Sequence, residues 1–382
     1  MLNLIKYLSI IAATASSLRA GEDFIQGVYE TSCTLHHKME SSQSNIVSGL
    51  GTTLAVQSIA SLIHPTEKKL KAEINDRLML SSKPAALEKL TSALRNNLIF
   101  NLSVYTDIKT TIKKIAITSL KKTGAQNIQI NLQEIIPAEE EKYTKKETLI
   151  QGLIKGITAD TVLCLFNIIH VTAAWRGKYA PTSFPFSIKG EKQSIQGFYG
   201  AQYIKRIKTS TDTIFALKTM KDIFSLLIKL PKKKQPISPL SYEDVNNFYI
   251  PGEKRLTLIH LPNIIISSLH NLQMQLQESL PTLLDDTFLT TIFDIPISIG
   301  AFKQKAVVKW DENGLLGDAD ILFDSKKTES IAQPSLPERT IKVNRPFAFM
   351  VVLNKSDNNP TPVPIFSGQI ASWEVLRLRG AS

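Results

Sequence analysis

The spacing of apolar residues changes along the chain. In the amino-terminal half, apolar positions recur every three or four residues, which predicts helices with one buried face. The clearest runs of this kind are Thr53–Leu62, Glu67–Leu80 and Asp107–Leu120. This spacing predicts that the first part of the chain is mainly helical.

The carboxy-terminal half has a different pattern. Short runs rich in β-branched and aromatic residues are separated by Pro, Gly and Asn, as expected for strands and turns. These runs are Val162–Val171, Phe224–Leu230, Leu256–Leu261, Ala306–Trp310 and Phe347–Leu353. Helices followed by strands, without regular alternation, are typical of an α+β domain. No internal repeat or low-complexity linker divides the chain, so we expect a single domain over residues 21–382.

Composition excludes several classes of protein. With 43% hydrophobic and 21% charged residues, the 382-residue chain can bury a large core. Cys33 and Cys164 are the only cysteines, too few for a disulfide scaffold or a zinc site. The six histidines show no metal-ligand spacing, and His170 has no Gly-x-Ser-x-Gly elbow to partner it. We therefore expect no enzyme chemistry, no cofactor and no metal.

The amino terminus predicts export. Lys6 precedes the apolar run Tyr7–Ala13, and small residues follow, which is the pattern of a signal peptide over residues 1–20 with cleavage between Ser17 and Ala20. The run is too short for a permanent membrane anchor, and the alternative is a buried helix. We therefore expect a secreted, extracellular protein with no membrane association.

Two Asn-x-Ser tripeptides support export further. They begin at Asn101 and Asn354, and each predicts a glycosylation site. Asn354 starts a polar run between two strand-like segments, which favours its exposure.

The formal net charge is +11. Basic clusters at Lys68–Lys71, Lys109–Lys122 and Lys232–Lys234 are candidates for binding a sulfated polysaccharide. The alternative is a set of solvated helix faces and a loop. Aromatic residues are not interleaved with the basic ones, so we expect no nucleic-acid partner.

Three motifs near the carboxy terminus carry the most information. They are Lys305–Gly314, Asn344–Phe349 and Ile365–Ile370. In this order they resemble the end of a serpin, the family of loop-displaying serine-protease inhibitors. Further matches in family order extend the resemblance over roughly residues 30–372: Asn45–Leu50, Asn97–Phe100, Asn167–Trp175, Ser225–Pro231 and Leu258–Pro262. The family's Ser-Pro and its Trp-Val helix motif are missing.

The resemblance implies a fold and a mode of action. We expect a helical amino-terminal half packed on a large central mixed sheet, with further sheets and an exposed reactive loop at about 315–340. In the family the target protease cleaves this loop, forms an acyl-enzyme and is distorted when the loop enters the sheet as a new strand. Asn167 and Trp175 match the region where the sheet opens. Each also has an alternative interpretation, as a strand-end hydrogen bonder and a core aromatic.

The matching hinge has an unusual sequence. It comprises Glu312, Asn313, Gly314, Leu315, Gly317 and Ala319, where the family usually has Glu-Glu-Gly-Thr and small residues. Inserted side chains that face inward must be uncharged, because an unpaired buried charge is costly. Alternation along a strand puts Leu315, Gly317 and Ala319 on one face and the two aspartates, Asp318 and Asp320, on the other. Insertion therefore remains chemically feasible if the first face points inward.

The cleaved bond is placed by counting. Sixteen residues beyond Glu312, the family's usual interval, lies Thr328, and counting back from Pro346 reaches the stretch 332–336 instead. The reactive-bond candidates are Lys326, Lys327, Thr328 and Glu329. A trypsin-like protease prefers Lys or Arg, whose charge reaches an acidic specificity pocket.

Two functions remain open from the sequence. The first is a secreted, monomeric suicide-substrate inhibitor of an extracellular, trypsin-like serine protease. The alternative is a non-inhibitory serpin that serves as a binding or carrier protein, or as a decoy substrate, because the hinge departs from the family pattern.

Overall fold

The computed structural model describes residues 25–36, 42–62, 99–107, 126–130, 163–271, 303–316, 337–355 and 361–376. Its helices are α1 (25–36), α2 (Gly49–Leu62) and α3 (Tyr242–Tyr249). Most of the remaining described residues form strands, which are paired mainly antiparallel. This combination confirms the predicted α+β class.

Sixteen strands are described, in three hydrogen-bonded sheets. They are β1 (Asn45–Val47), β2 (Ile99–Asp107), β3 (Gln126–Ile130), β4 (Leu163–His170), β5 (Ala173–Ala174), β6 (Ala180–Ile188), β7 (Glu191–Lys208), β8 (Asp212–Lys218), β9 (Phe224–Pro231), β10 (Lys254–Pro262), β11 (Ile264–Asn271), β12 (Lys303–Trp310), β13 (Gly314–Leu316), β14 (Arg339–Lys342), β15 (Phe347–Leu353) and β16 (Val363–Ile370).

The largest sheet has nine strands. Its order is β1-β16-β15-β9-β8-β7-β10-β14, and β6 pairs with β7. Strands β9, β15 and β16 are buried along their whole length, and apolar residues face both sides of each strand; the few polar residues among them, such as Lys229 and Gln369, are buried as well. The pairing of β10 with β14 is parallel, which makes the sheet mixed.

Two smaller sheets complete the description. One has the order β3-β2-β4 and the other β11-β12-β13-β5. Only two residues separate β4 from β5, so the chain passes directly from one of these sheets into the other.

The four-stranded sheet packs against the nine-stranded one. Trp310 at the end of β12 is fully buried, 4.9 Å between ring centroids from Phe349 of β15. Its indole nitrogen donates to the carbonyl of Pro262 at 2.9 Å. This tryptophan fixes the carboxy-terminal end of β12, where the candidate site begins.

The structure tests most of the predicted elements. Four of the five predicted strand runs lie wholly in strands, and the fifth, Val162–Val171, contains β4. Thr53–Leu62 lies in α2, which begins four residues earlier. The mainly helical first half was incomplete as a prediction, because β2 and β3 lie there as well. The predicted helix Glu67–Leu80 lies outside the described residues, as does Asp107–Leu120 except for Asp107, the last residue of β2.

Two searches of the described residues found nothing. No helix among them is long and apolar enough to cross a membrane. Within the same residues, no group of three or more His, Cys, Asp or Glu side chains could hold a metal ion.

Candidate functional site

The candidate site is centred on the three-residue strand β13. This strand follows β12 after a short turn and lies between β12 and β5. Leu315 and Leu316 pair with the end of β12, and on the other side Gly314 and Leu315 pair with Ala174 and Ala173. The first residues of the predicted reactive loop therefore already form a strand within a sheet.

The turn before β13 is closed by its own side chain. The Asp311 carboxylate accepts a hydrogen bond from the Asn313 backbone nitrogen at 2.8 Å, and the Asp311 nitrogen donates to the Gly314 carbonyl at 3.2 Å. An aspartate that bonds the backbone two residues ahead forms an Asx turn. Glu312 and Asn313 lie at the tip, with Asn313 exposed. This geometry reverses the chain directly into the sheet.

Gly314 is required by a close backbone approach. A Cβ atom at this position would lie 2.2 Å from the Ala173 carbonyl oxygen and 2.8 Å from the Ala174 Cα. Both atoms belong to the backbone of β5, so no side-chain rotation relieves the overlap. Any larger residue must displace β13 from its place.

Leu315 lies on the buried face of the sheet, with 2% of its surface exposed. It pairs with Trp310, the buried tryptophan at the end of β12. Gly317 and Ala319, which alternation predicts on the same face, lie outside the described residues. The site thus accepts a leucine at its first inward position.

Trp175 binds the turn at its start and at its tip. Its backbone nitrogen donates to the Asn313 carbonyl at 3.1 Å, and its indole nitrogen donates to the Asp311 carbonyl at 2.7 Å. The side chain is 3% exposed. Trp175 is therefore a core aromatic, and its hydrogen bonds hold the hinge turn; its part in opening the sheet stays a prediction.

An aromatic cluster supports Trp175 from below. Its ring stacks on Phe198 at 6.2 Å and meets Tyr179 edge-on at 6.3 Å, and the latter two are 5.3 Å apart. The Tyr179 hydroxyl is buried and finds no hydrogen-bond partner among the described residues. Burial raises the pKa of this phenol, so it stays neutral. The aromatic residues packed on Trp175 therefore carry no charge.

The chain returns from the predicted loop beside a different sheet. The Glu338 backbone nitrogen donates to the Leu256 carbonyl at 3.0 Å, and Arg339 begins β14 in parallel with β10. The reactive-bond candidates Lys326, Lys327, Thr328 and Glu329 lie outside the described residues. Residues 317–336 thus connect β13 to β14.

Two other predicted residues lie in neighbouring strands. Asn167 is in β4, opposite Leu102 of β2, and Asn101 is in β2, opposite Ile168 of β4. Because β4 runs into β5, Asn167 belongs to the strand whose continuation contacts the hinge. Asn167 precedes Trp175 by eight residues along the chain.

The expected exposure of Asn354 is wrong. The residue is 7% exposed, and its amide oxygen accepts hydrogen bonds from the Ser225 and Tyr249 hydroxyls, the former at 2.8 Å. Its amide nitrogen, which a glycan would occupy, donates to the Asp222 carbonyl at 2.7 Å. A polar run in the sequence predicted a loop, but distant partners bury its first residue.

The sequence analysis missed three residues of the site. Asp311 closes the turn, and Ala173 and Ala174 provide the strand that receives β13. The turn had a local signal, because Asp followed by Asn-Gly after an apolar run is typical of tight reversals. The two alanines had no such signal, since their role depends on a partner about 140 residues away.

Comparison with known proteins connects this geometry to one family. The family model "Serpin (serine protease inhibitor)" matches residues 32–372. Alpha-1-antiproteinase S of Cavia porcellus is 25% identical over 260 residues, which cover 61% of this chain and 59% of the relative. Alpha-1-antiproteinase F of the same species is 25% identical over 267 residues, with the same coverage. The chain therefore spans about three fifths of the length of these curated relatives.

Solved structures show the same fold. A structure described as "Cleaved Serpin 42Da" superposes with a TM-score of 0.75 at 13% identity, covering 93% of this chain and all of that one. The thermophilic serpin tengpin in its native state gives 0.73 at 18% identity, with coverages of 92% and 94%. At these identities the likeness concerns the fold alone.

Proposed function

The chain belongs to the serpin family, and on that premise we propose that it is a secreted suicide-substrate inhibitor of an extracellular serine protease. Residues 317–336 contain the bond that the protease cleaves and are called the bait segment below. Strand β13 is the first part of the strand that forms after cleavage. The protein acts through this conformational change and not as an enzyme.

The proposed reaction has two competing outcomes after the acyl-enzyme forms. The protease serine attacks the carbonyl carbon of the bait bond, the new amine leaves with a proton, and an ester links the two proteins. Water can hydrolyse this ester and release a nicked chain. If the cut loop inserts into the sheet first, it drags the protease with it and distorts the active site. Inhibition therefore depends on insertion being faster than hydrolysis.

The seating of β13 is the observation that carries this proposal. Gly314 and Leu315 already pair with β5 and β12 on both sides, so the inserting strand has its first residues in register. Because Leu315 faces inward, alternation directs Asp318 and Asp320 outward. Their charges then stay in solvent during insertion, which removes the main objection that the sequence raises.

A trypsin-like protease fits the bait best. Lys326 and Lys327 lie beside the position that the family interval selects. A lysine side chain reaches the acidic specificity pocket of such enzymes. We therefore propose that cleavage follows Lys326 or Lys327, and that Lys327-Thr328 is the reactive bond.

The remaining parts of the proposal concern location and partners. Residues 1–20 act as a signal peptide, and the mature protein works as a monomer. Lys232, Lys233 and Lys234 are exposed, consistent with a weak site for a sulfated polysaccharide. Asn101 remains the proposed glycosylation site.

The second candidate is a non-inhibitory serpin that is cut as a decoy. It is favoured by Leu315, which is bulkier than the threonine usual at this hinge position and can slow insertion. In that case the ester is hydrolysed before the strand forms.

One experiment separates the two functions. The mature protein is incubated with trypsin, and a denaturing gel is run in parallel with trypsin whose catalytic serine is replaced by alanine. An inhibitor gives a covalent band at the sum of the two masses with active trypsin only. A nicked chain without that band supports the decoy, and an uncut loop contradicts both.

A further inference from the structure

The turn between β8 and β9 lies directly beside the hinge. Thr219 forms a bridge with Trp175, and the Arg176 backbone nitrogen donates to the Lys218 carbonyl at 2.9 Å. Trp175 is the residue that binds the hinge turn, through the Asp311 and Asn313 carbonyls. The β8–β9 turn therefore sets the position of the segment that holds the hinge.

The Asp222 carboxylate in this turn binds Arg176, the residue next to Trp175. Nη1 of Arg176 lies 3.0 and 2.9 Å from the two oxygens of Asp222, and Nζ of Lys218 lies 3.1 Å from one of them. Partial burial opposes ionisation of Asp222, but hydrogen bonds and charge from Lys218 and Arg176 together lower its pKa. A single exposed ion pair contributes little, whereas two cations on one carboxylate form a small network.

The backbone under this carboxylate is strained. Lys221 and Asp222 have φ values of 58° and 54°, a left-handed conformation that is costly for residues other than glycine. Such residues persist when the surrounding structure holds them. Here the holding residue is Asn354, which donates its side-chain nitrogen to the Asp222 carbonyl at 2.7 Å and its backbone nitrogen to the Ile223 carbonyl at 2.8 Å.

Asn354 is itself fixed from two sides. Its side-chain oxygen accepts from Ser225 of β9 and from Tyr249 at the end of α3. Every polar atom of this side chain is used inside the protein. The strained turn is thus attached to the centre of the nine-stranded sheet and to a helix.

We propose that Asp222, held in its strained conformation by Asn354, is a positioning residue for the hinge. It fixes Arg176, and through the adjoining Trp175 it keeps the start of β13 in register between β12 and β5. This role rests on the proposed inhibitory function, because register matters when the strand must extend faster than the ester is hydrolysed.

The test uses Asp222→Asn. Asparagine has nearly the same size and tolerates the left-handed conformation well, so the variant removes the charge and leaves the turn. We expect hydrogen exchange at the backbone amides of Trp175 and Asp311 to accelerate about fivefold, because a factor of this size corresponds to the free energy that a small ion-pair network contributes. The ratio of nicked chain to covalent complex with trypsin should rise by a similar factor.

The control is Glu253→Gln. It removes a carboxylate that is paired with an arginine, Arg255, but lies in the loop before β10. Exchange at the hinge amides and the product ratio should stay as in the unmodified protein. The Val245 amide of α3, which donates to the Ser241 carbonyl, serves as an internal reference in every variant.

Each outcome decides the proposal. Faster exchange confined to the Trp175 and Asp311 amides supports it. It is also supported if these amides exchange no faster in the Arg176→Gln, Asp222→Asn double variant than in either single variant. Unchanged exchange at the Trp175 and Asp311 amides overturns the proposal, because Asp222 then has no role at the hinge. Equal acceleration at the Val245 amide also overturns it, because the effect is then a general loss of stability. Exchange needs no protease, so an unmodified protein that gives no covalent complex refutes the inhibitory function without affecting this result.

Discussion

Replacing Gly314 by alanine is the sharpest perturbation of the hinge. The new Cβ would lie 2.2 Å from the Ala173 carbonyl oxygen and 2.8 Å from the Ala174 Cα. Real Cβ atoms do not approach backbone atoms this closely, and β5 is held in place by Trp175. We therefore expect Gly314→Ala to expel β13 from the sheet.

The cost follows from the contacts that β13 loses. Leu315, now 2% exposed, would lose its burial, which is worth about 1.5–3 kcal/mol. The ladder bonds to β5 and β12 add about 1 kcal/mol each at most. Together these contacts are worth at least about 3 kcal/mol, which corresponds to a shift of about a hundredfold or more in the balance between seated and expelled hinge. After cleavage the same overlap blocks the first step of insertion.

The assay is the yield of covalent complex with trypsin. Gly314→Ala should be cut at the normal rate but give almost only nicked chain. Gly190→Ala is the matched control, because Gly190 has φ of 89° with open space around it, and alanine there costs about 1 kcal/mol far from the hinge. A normal yield of complex from Gly314→Ala would refute the reasoning, as would an equal loss in the Gly190 variant.

Other parts of the chain give four further predictions. Burial chiefly lowers the pKa of His270, against a hydrogen bond to the Ile46 carbonyl that raises it, so the folded state favours the neutral ring. The contribution of His270 to stability is complete above the ordinary histidine pKa and is lost as the pH falls through the pKa of the folded state. The free energy of unfolding, measured with urea, should therefore be lower at pH 5 than at pH 7, and the difference should be smaller in His270→Gln. Asn354→Ala should destabilise the protein by about 2–4 kcal/mol by leaving buried hydroxyls unpaired. Mass spectrometry of the protein produced through the secretory pathway of a eukaryotic host should find no glycan on Asn354. Limited trypsin digestion should cut first after Lys326 or Lys327, and a first cut elsewhere would contradict the bait assignment.

Much of the sheet architecture was accessible from the sequence because buried strands carry a strong local signal. Residues 347–353 are apolar on both faces, and residues 224–230 are apolar except for Ser225 and Lys229. Both runs are bounded by turn residues, so their pattern needs no partner to be recognised. The 18-residue strand β7 was missed because it contains glycines and many polar residues. Its conformation comes from pairing with β6, β10 and β8, which no local pattern records.

The candidate site was only partly accessible for the same reason. The hinge and Trp175 were found through the family resemblance, and alternation gave the inward side of Leu315. The turn residue Asp222 could not be found, because its role depends on Asn354 and Arg176, which lie far apart in the sequence. The local pattern around Asn354 indicated the opposite of its true environment.

The central claim is that the loop after β13 completes a strand in the sheet once it is cut. The most direct test is the melting temperature of the protein before and after cleavage within residues 317–336, with Gly314→Ala treated in the same way. An inserted strand adds about ten ladder hydrogen bonds at about 1 kcal/mol each, so the account predicts a rise of at least about 10 °C for the unmodified protein and none for the variant. An unchanged or lower melting temperature after cleavage of the unmodified protein would contradict the account.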